Sequence, residues 1–268
     1  MTEPSEESIQ GRIEREEFAR GHLPEGAAPA TPRLAATTVI ARPGSSGLFE
    51  LLLLKRPLAS RFAAGAYVFP GGVVDDADGS EFWRSRMHRP SNLPPDGLPA
   101  ATAGIRELFE ETGILLADQE LKRLDALEVL RHKLLAEEVT FEDVVRDRSL
   151  TFLHAPLTYF ARWVTPRRLA RRYDALFFLV ALSSRSEDVT ITEEHDGLTW
   201  VTPRAALAEF TAGRLPMLFP TWKTVQQLSA FDHLDEAVRV LGTSSVTSIE
   251  PFLDVDGNTV RPRMPERS

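Results

Sequence analysis

The stretch Ala103 to Ile114, AGIRELFEETGI, constrains this chain more than any other, because it loads three carboxylates and an arginine onto one short helical segment. At about 100° per residue, Glu107, Glu110 and Glu111 fall within an arc of roughly 100°, whereas Ile105, Leu108, Phe109 and Thr112 point the other way. One face suits a core and the other is acidic. Gly113, directly after Thr112, marks a helix stop, which puts the carboxylates near a C-terminus whose dipole disfavours negative charge. Two readings are open. A hard divalent cation such as Mg2+, which takes oxygen ligands, would relieve the repulsion. Alternatively the glutamates form a solvated acidic face, as Glu-rich surface helices commonly do.

Upstream, Phe69-Pro70-Gly71-Gly72 sets two glycines side by side. They permit close backbone approach, so a bare carbonyl at Gly71 can ligate a metal beside the glutamates. Together with Arg106 to Ile114 they resemble the Nudix hydrolase box, G-x5-E-x7-R-E-U-x-E-E-x-G-U with U aliphatic. The second half matches at every fixed position. The first half departs from it: the residue six after Gly72 is Asp78 rather than Glu, about twenty extra residues precede Arg106, and Asp78 is assigned no role. The inserted segment 79–98, rich in Pro, Arg and Ser, is expected to be a surface loop.

The resemblance implies an α/β Nudix fold, an α/β/α sandwich with a mixed central sheet and helical insertions. It also implies metal-dependent hydrolysis of a diphosphate bond in a nucleotide-like small molecule. Mg2+ or Mn2+ would be held by Glu107, Glu110, Glu111 and the Gly71 carbonyl. Arg106, one helical step from Glu110, would orient the glutamates by pairing with them.

The run Lys55 to Gly72, KRPLASRFAAGAYVFPGG, resembles a signature found upstream of the box in coenzyme A diphosphatases. Leu52, Leu53, Arg56, Arg61, Gly65 and Phe69 to Gly72 fall in register, while Leu54 and Pro57 replace Thr and Ser. A guanidinium forks onto phosphate oxygens, and coenzyme A offers a diphosphate and a 3′-phosphate, so Arg56, Arg61 and Gly65 are the candidate substrate residues. The competing reading is that both arginines are solvated surface charges. Farther on, W-V-T-P followed by R-R-Y-D-A-L-F-F resembles the peroxisomal branch of these enzymes, which also carries an insertion inside the box. Arg167, Arg168, Arg171 and Arg172 crowd this loop, either as a solvated face or for phosphate binding. Within Glu193-Glu194-His195-Asp196, the resemblance singles out Glu194 as a metal ligand or base, with Glu193 and Asp196 close behind. It also makes Pro220-Thr221 a candidate pocket wall, against the simpler reading of packing.

The leading expectation is cleavage of coenzyme A or an acyl-CoA to 3′,5′-ADP and (acyl-)4′-phosphopantetheine. One rival is a Nudix hydrolase of ADP-ribose, NADH or a nucleoside triphosphate; the other is a non-catalytic Nudix-fold binding module.

Around these motifs the chain is expected to be one Nudix domain, 33–258, flanked by flexible tails 1–32 and 259–268, with a helical insertion at 116–150. The segments 33–42 and 48–55 read as a hairpin, and four consecutive leucines, Leu51 to Leu54, suit a strand covered on both faces, with a helix as the competing assignment. Thr140 with Asp143 resembles a capping box, Thr202-Pro203 opens another helix, and Phe252 to Arg261 is a terminal hairpin candidate. With 43% hydrophobic residues among 268, the chain can bury a full core. It has no cysteine, which leaves oxygen and the six histidines as metal donors, and its net charge of −8 argues against a general nucleic-acid partner. The acidic N-terminus, the lack of a long apolar run and a C-terminus unlike S-K-L lead to an expected cytoplasmic protein with no membrane contact.

Overall fold

The computed structural model describes residues 23, 26–45, 47–60, 62–87, 89–116, 124–147, 157–184, 189–256 and 259–265. In chain order the strands are β1 (Arg33–Pro43), β2 (Phe49–Lys55), β3 (Tyr67–Val68), β4 (Gly71–Val73), β5 (Thr158–Val164), β6 (Tyr173–Ala181), β7 (Gly197–Val201), β8 (Ser248–Ile249), β9 (Phe252–Asp256) and β10 (Thr259–Arg263). The helices are α1 (Glu81–Arg84), α2 (Leu98–Thr112), α3 (Leu124–Leu135), α4 (Phe141–Asp147), α5 (Pro203–Thr211), α6 (Phe219–Leu228) and α7 (Leu234–Thr243).

β1 and β2 form the expected hairpin, with Ala41 opposite Leu51. The first half of β1 pairs antiparallel with β4, Thr37 opposite Gly71, while β6 runs parallel to β1 from Arg33 to Ala41, Thr37 opposite Phe177. β7 runs antiparallel to β2, β5 antiparallel to β6, and β8 parallel to β5. The mixed sheet of the expected fold is therefore present.

Side-chain alternation places a helical layer on each face. Ile40, Leu52, Leu54, Phe178 and Val180 share one core with Ala100, Ala103, Ile105, Leu108 and Phe109 of α2. Val39, Leu51, Leu53, Phe177 and Leu179 share the other with Ala206 of α5, Val225 and Leu228 of α6, and Ala237 and Leu241 of α7. The four leucines thus point alternately into two dry cores, as a strand buried on both faces requires, and the helical alternative falls. Thr38 seats α2 on the sheet by donating its hydroxyl to the Gly104 carbonyl at 2.8 Å.

Three boundaries differ from expectation. The segment 79–98 is not a plain surface loop: it forms α1, whose Phe82 and Trp83 are buried, and Trp83 stacks on Phe141 of α4 with ring centroids 5.3 Å apart. Large aromatic rings bury too much apolar area to stay in water, so they anchor the segment despite its polar composition. The terminal hairpin expected at Phe252 to Arg261 forms as β9 and β10, and it runs on to Arg263, opposite Phe252, through residues also expected to be a flexible tail. At the other end, Arg172 donates to the Ala30 carbonyl at 2.8 Å and Leu23 donates its amide to the Arg168 carbonyl at 2.9 Å, so this part of the expected N-terminal tail is fastened to the domain. The rest of that tail, residues 1–22, 24 and 25, lies outside the described residues. The capping box is formed: the Thr140 amide donates to Asp143 Oδ2 at 2.9 Å, and the Asp143 amide donates to Thr140 Oγ1 at 3.1 Å. No helix among the described residues is long and apolar enough to cross a membrane.

Candidate active site

Helix α2 carries the site. Its C-terminal turn is stopped by Gly113, which takes the left-handed conformation at φ 74° that a side chain would disfavour, and the Gly113 amide caps the Phe109 carbonyl at 2.9 Å. The helix lies against β4 so closely that a Cβ on Gly72 would overlap the Glu107 carboxylate, and one on Gly71 would overlap the Ala36 carbonyl. Gly71 is therefore required by the backbone beside it, and Gly72 leaves the space that the Glu107 carboxylate occupies.

The acidic face is not solvated. Glu111 retains 9% of its exposure, and the side chains of Glu107 and Glu110 retain 16% and 19%. Desolvation, with the Glu110 and Asp78 charges adding to it, pushes the Glu107 carboxyl up to about 7 against the pull of Arg106. Desolvation also raises Glu110, against the pull of Arg106. Glu111 is raised well above the usual carboxylate range by desolvation, then by the charges of Glu107 and Glu194. The Gly71 amide, which donates to Glu111 Oε2 at 3.3 Å, and the charge of Arg56 offset part of that rise.

Arg106 offsets part of the crowding. Its guanidinium forks onto Asp78, Nε to Oδ1 at 3.0 Å and Nη2 to Oδ2 at 2.9 Å. Nη1 donates to Glu107 Oε1 at 2.9 Å and Glu110 Oε2 at 3.1 Å, and Nη2 also reaches the Val73 carbonyl at 3.0 Å. Burial works to lower the Arg106 pKa, but the Asp78 hydrogen bond and the surrounding carboxylates outweigh it and the net shift is upward. Asp78 is the residue that sequence reasoning missed. It closes a capping box with Asp75, its carboxylate accepting the Asp75 amide at 2.9 Å, and the Asp-x-x-Asp spacing is the signal that could have found it.

The predicted convergence of three glutamates is modified. Glu107 and Glu110 lean on Arg106 while Glu111 leans on Gly71, because each takes the charge-assisted or amide hydrogen bond nearest to it. Among the described residues no three acidic or histidine side chains enclose a cation site in this arrangement. The donor set nonetheless fits a hard divalent ion. Three desolvated carboxylates with raised pKa values lie on one helix, Glu107 and Glu111 of them against the Gly71-Gly72 backbone, and their donors are the oxygens that such an ion takes.

Around this centre, the acidic turn of Glu193 to Asp196 is fixed at both ends. The Thr190 amide donates to the Thr112 carbonyl at 3.0 Å, and the Asp196 amide to the Lys55 carbonyl at 2.8 Å. Glu194 is thereby brought within electrostatic reach of Glu111. His195, in the same turn, is buried with neither ring nitrogen hydrogen-bonded. Arg56 begins the loop between β2 and β3, where its Nε donates to the Phe62 carbonyl at 3.0 Å, and its charge reaches Glu111 and His195. Gly65 serves that loop's conformation, at φ 75° with Leu58 packed against it. Arg61 lies outside the described residues. The basic β5–β6 loop is partly committed to structure: Arg172 and Arg167 pair with Glu250 at 2.7 and 3.3 Å. Thr221 is buried in α6, on the helical layer opposite α2.

The family model described as the NUDT19 Nudix domain matches residues 27–104 and 88–228. Acyl-coenzyme A diphosphatase NUDT19 of Xenopus laevis is 25% identical over 257 residues, covering 77% of this chain and 67% of that protein. The human protein of the same name is 25% identical over 270 residues, covering 83% and 72%. A crystal structure of a NUDIX hydrolase from Alicyclobacillus acidocaldarius superposes with a TM-score of 0.70 at 30% identity, covering 81% of this chain and 99% of that one. The half-box on α2, the sandwich that buries it and these likenesses agree: the chain is a Nudix hydrolase, belonging to the family of the NUDT19 Nudix domain.

Proposed function

We propose that this enzyme hydrolyses the diphosphate bond of coenzyme A or an acyl-CoA, giving 3′,5′-ADP and 4′-phosphopantetheine or its acyl form. The observation that carries the reading is the desolvated carboxylate set of Glu107, Glu110 and Glu111 beside Gly71 and Gly72, with Arg56 in electrostatic reach. It is supported by the relatives named acyl-coenzyme A diphosphatase.

Glu107, Glu110, Glu111 and the Gly71 carbonyl would hold Mg2+ or Mn2+. When bound, such an ion neutralises diphosphate charge and lowers the pKa of a water for in-line attack at phosphorus. The chain's own residues do the rest. Asp78 locks Arg106, and Arg106 fixes the rotamers of Glu107 and Glu110. Glu194 approaches from the opposite loop and accepts the proton released by the attacking water. Arg56, with Arg61 following it in the chain, offers guanidinium donors to the phosphates.

A substrate panel with Mg2+ and Mn2+, read by mass spectrometry of the products, tests the proposal. Coenzyme A is expected to be cleaved about tenfold to a hundredfold faster in kcat/KM than 3′-dephospho-coenzyme A, since a charge-assisted hydrogen bond contributes roughly 1.5 to 3 kcal/mol. Equal rates for the two would refute an arginine contact to the 3′-phosphate. Faster cleavage of ADP-ribose than of either would replace the coenzyme A reading.

A further inference from the structure

Helix α3 belongs to the inserted segment, yet it sends one buried guanidinium to the end of α2. Arg131 retains 2% of its exposure and is shared among three elements. Its Nε donates to the Glu110 carbonyl at 2.9 Å, its Nη2 to the Thr190 carbonyl at 2.6 Å, and its Nη1 to Glu128 at 3.2 Å. The last carbonyls of an α-helix lack partners within the helix. Here Phe109 is satisfied by the Gly113 amide, Glu110 by Arg131 and Thr112 by the Thr190 amide. Thr190 therefore uses both its N–H and its C=O to bind one helix end, directly through Thr112 and indirectly through Arg131. Four residues later the same segment carries Glu194.

We propose that Arg131 is a positioning residue, which sets the Glu194 turn against the carboxylates of α2 and so makes the α3 insertion part of the catalytic apparatus. The proposal rests on Glu194 acting as proton acceptor in the reading above. A planar fork can bridge two carbonyls at once, whereas an ammonium on a flexible stem cannot hold both in register. A positive charge at this helix end also opposes the negative pole of the helix.

The test is a double-mutant cycle of Arg131→Lys with Glu194→Gln in the full chain, measuring kcat, KM and Tm with coenzyme A and Mg2+, and with Glu111→Gln run alongside. Arg131→Lys is expected to lower kcat by about tenfold or more with KM changed less than about threefold, and to cost nothing further in the Glu194→Gln background. Multiplicative losses in kcat would overturn the proposal and leave Arg131 a structural tie. Full activity of Glu194→Gln would overturn it as well, while the carboxylate site stands or falls separately on Glu111→Gln. Should Arg131→Lys fail to fold, Glu128→Ala, which frees one arm of the guanidinium from a half-exposed partner, takes its place in the same cycle. It is expected to show a smaller loss in kcat that likewise vanishes with Glu194→Gln, and multiplicative losses there would overturn the proposal equally.

Discussion

The guanidinium of Arg106 meets both carboxylate oxygens of Asp78, at 3.0 and 2.9 Å, across 28 residues of sequence that include helix α1. Asp78 retains 2% of its exposure. A planar cation chelated by a buried carboxylate cannot swing into the site, so it serves as a fixed post for Glu107 and Glu110.

Removing that post should be costly. Asp78→Ala leaves a buried guanidinium short of its main partner, and breaking one side of a buried pair costs about 3 kcal/mol or more. For a domain of this size that lowers Tm by roughly 6 to 12 °C, measurable by thermal or urea unfolding. Asp78→Glu should recover part of the loss. A change in Tm within a degree for Asp78→Ala would show that Glu107 and Glu110 alone satisfy Arg106.

Glu111 should separate function from stability. Glu111→Gln is expected to lower kcat by about a hundredfold or more, the usual scale for an essential ligand or base. The metal-free variant should be no less stable than the parent, because burial already disfavours the charged form that the substitution removes. Mg2+ should raise the Tm of the parent, by about 2.7 kcal/mol of added stability at a hundredfold excess over Kd, and should not raise that of the variant. Near-normal turnover of the variant at saturating Mg2+ would exclude the assignment.

Gly72→Ala probes the approach of β4 to α2. The added methyl overlaps the Glu107 carboxylate, the far end of a flexible side chain, so the fold can yield by moving that carboxylate. Activity should fall about tenfold or more, since small displacements of catalytic groups are expensive, while Tm changes little. Retained activity would show that the position of Glu107 is not critical.

His195 should give stability a dependence on pH. Burial, helped by the Arg56 charge, lowers its pKa from 6.5 to about 4. The unfolded chain then binds a proton more readily than the folded one, so this contribution is complete above about pH 6.5 and is lost as pH falls toward 4. Urea unfolding at a series of pH values should show a steeper acid loss in the parent than in His195→Gln. Parallel curves would mean that His195 is protonated equally in both states.

Much of the architecture was legible because its signals are local. The alternation of Leu51 to Leu54, the apolar stripe of Ile105, Leu108, Phe109 and Thr112, the Thr140–Asp143 box and the Gly113 stop each lie within a few residues. The period of a strand or helix and the chemistry of its caps act over just that range. Spacing alone placed the box glutamates on one face, and it was the resemblance to the Nudix box that singled them out as metal ligands.

What the sequence by itself determined was therefore which residues share a strand face, a helix face or a cap. Whether the acidic face was wet or dry was decided only by tertiary structure, because a carboxylate carries no mark of the dielectric it will occupy. The docking of α2 on β4 desolvated Glu107 and Glu111. The same holds for Asp78 on Arg106, for Trp83 drawing the Pro- and Arg-rich segment 79–98 into the core, and for Arg131 joining α3 to α2 and Thr190. Each of these contacts spans more than twenty residues or joins separate elements, and its energy comes from excluding water between surfaces that no local pattern brings together.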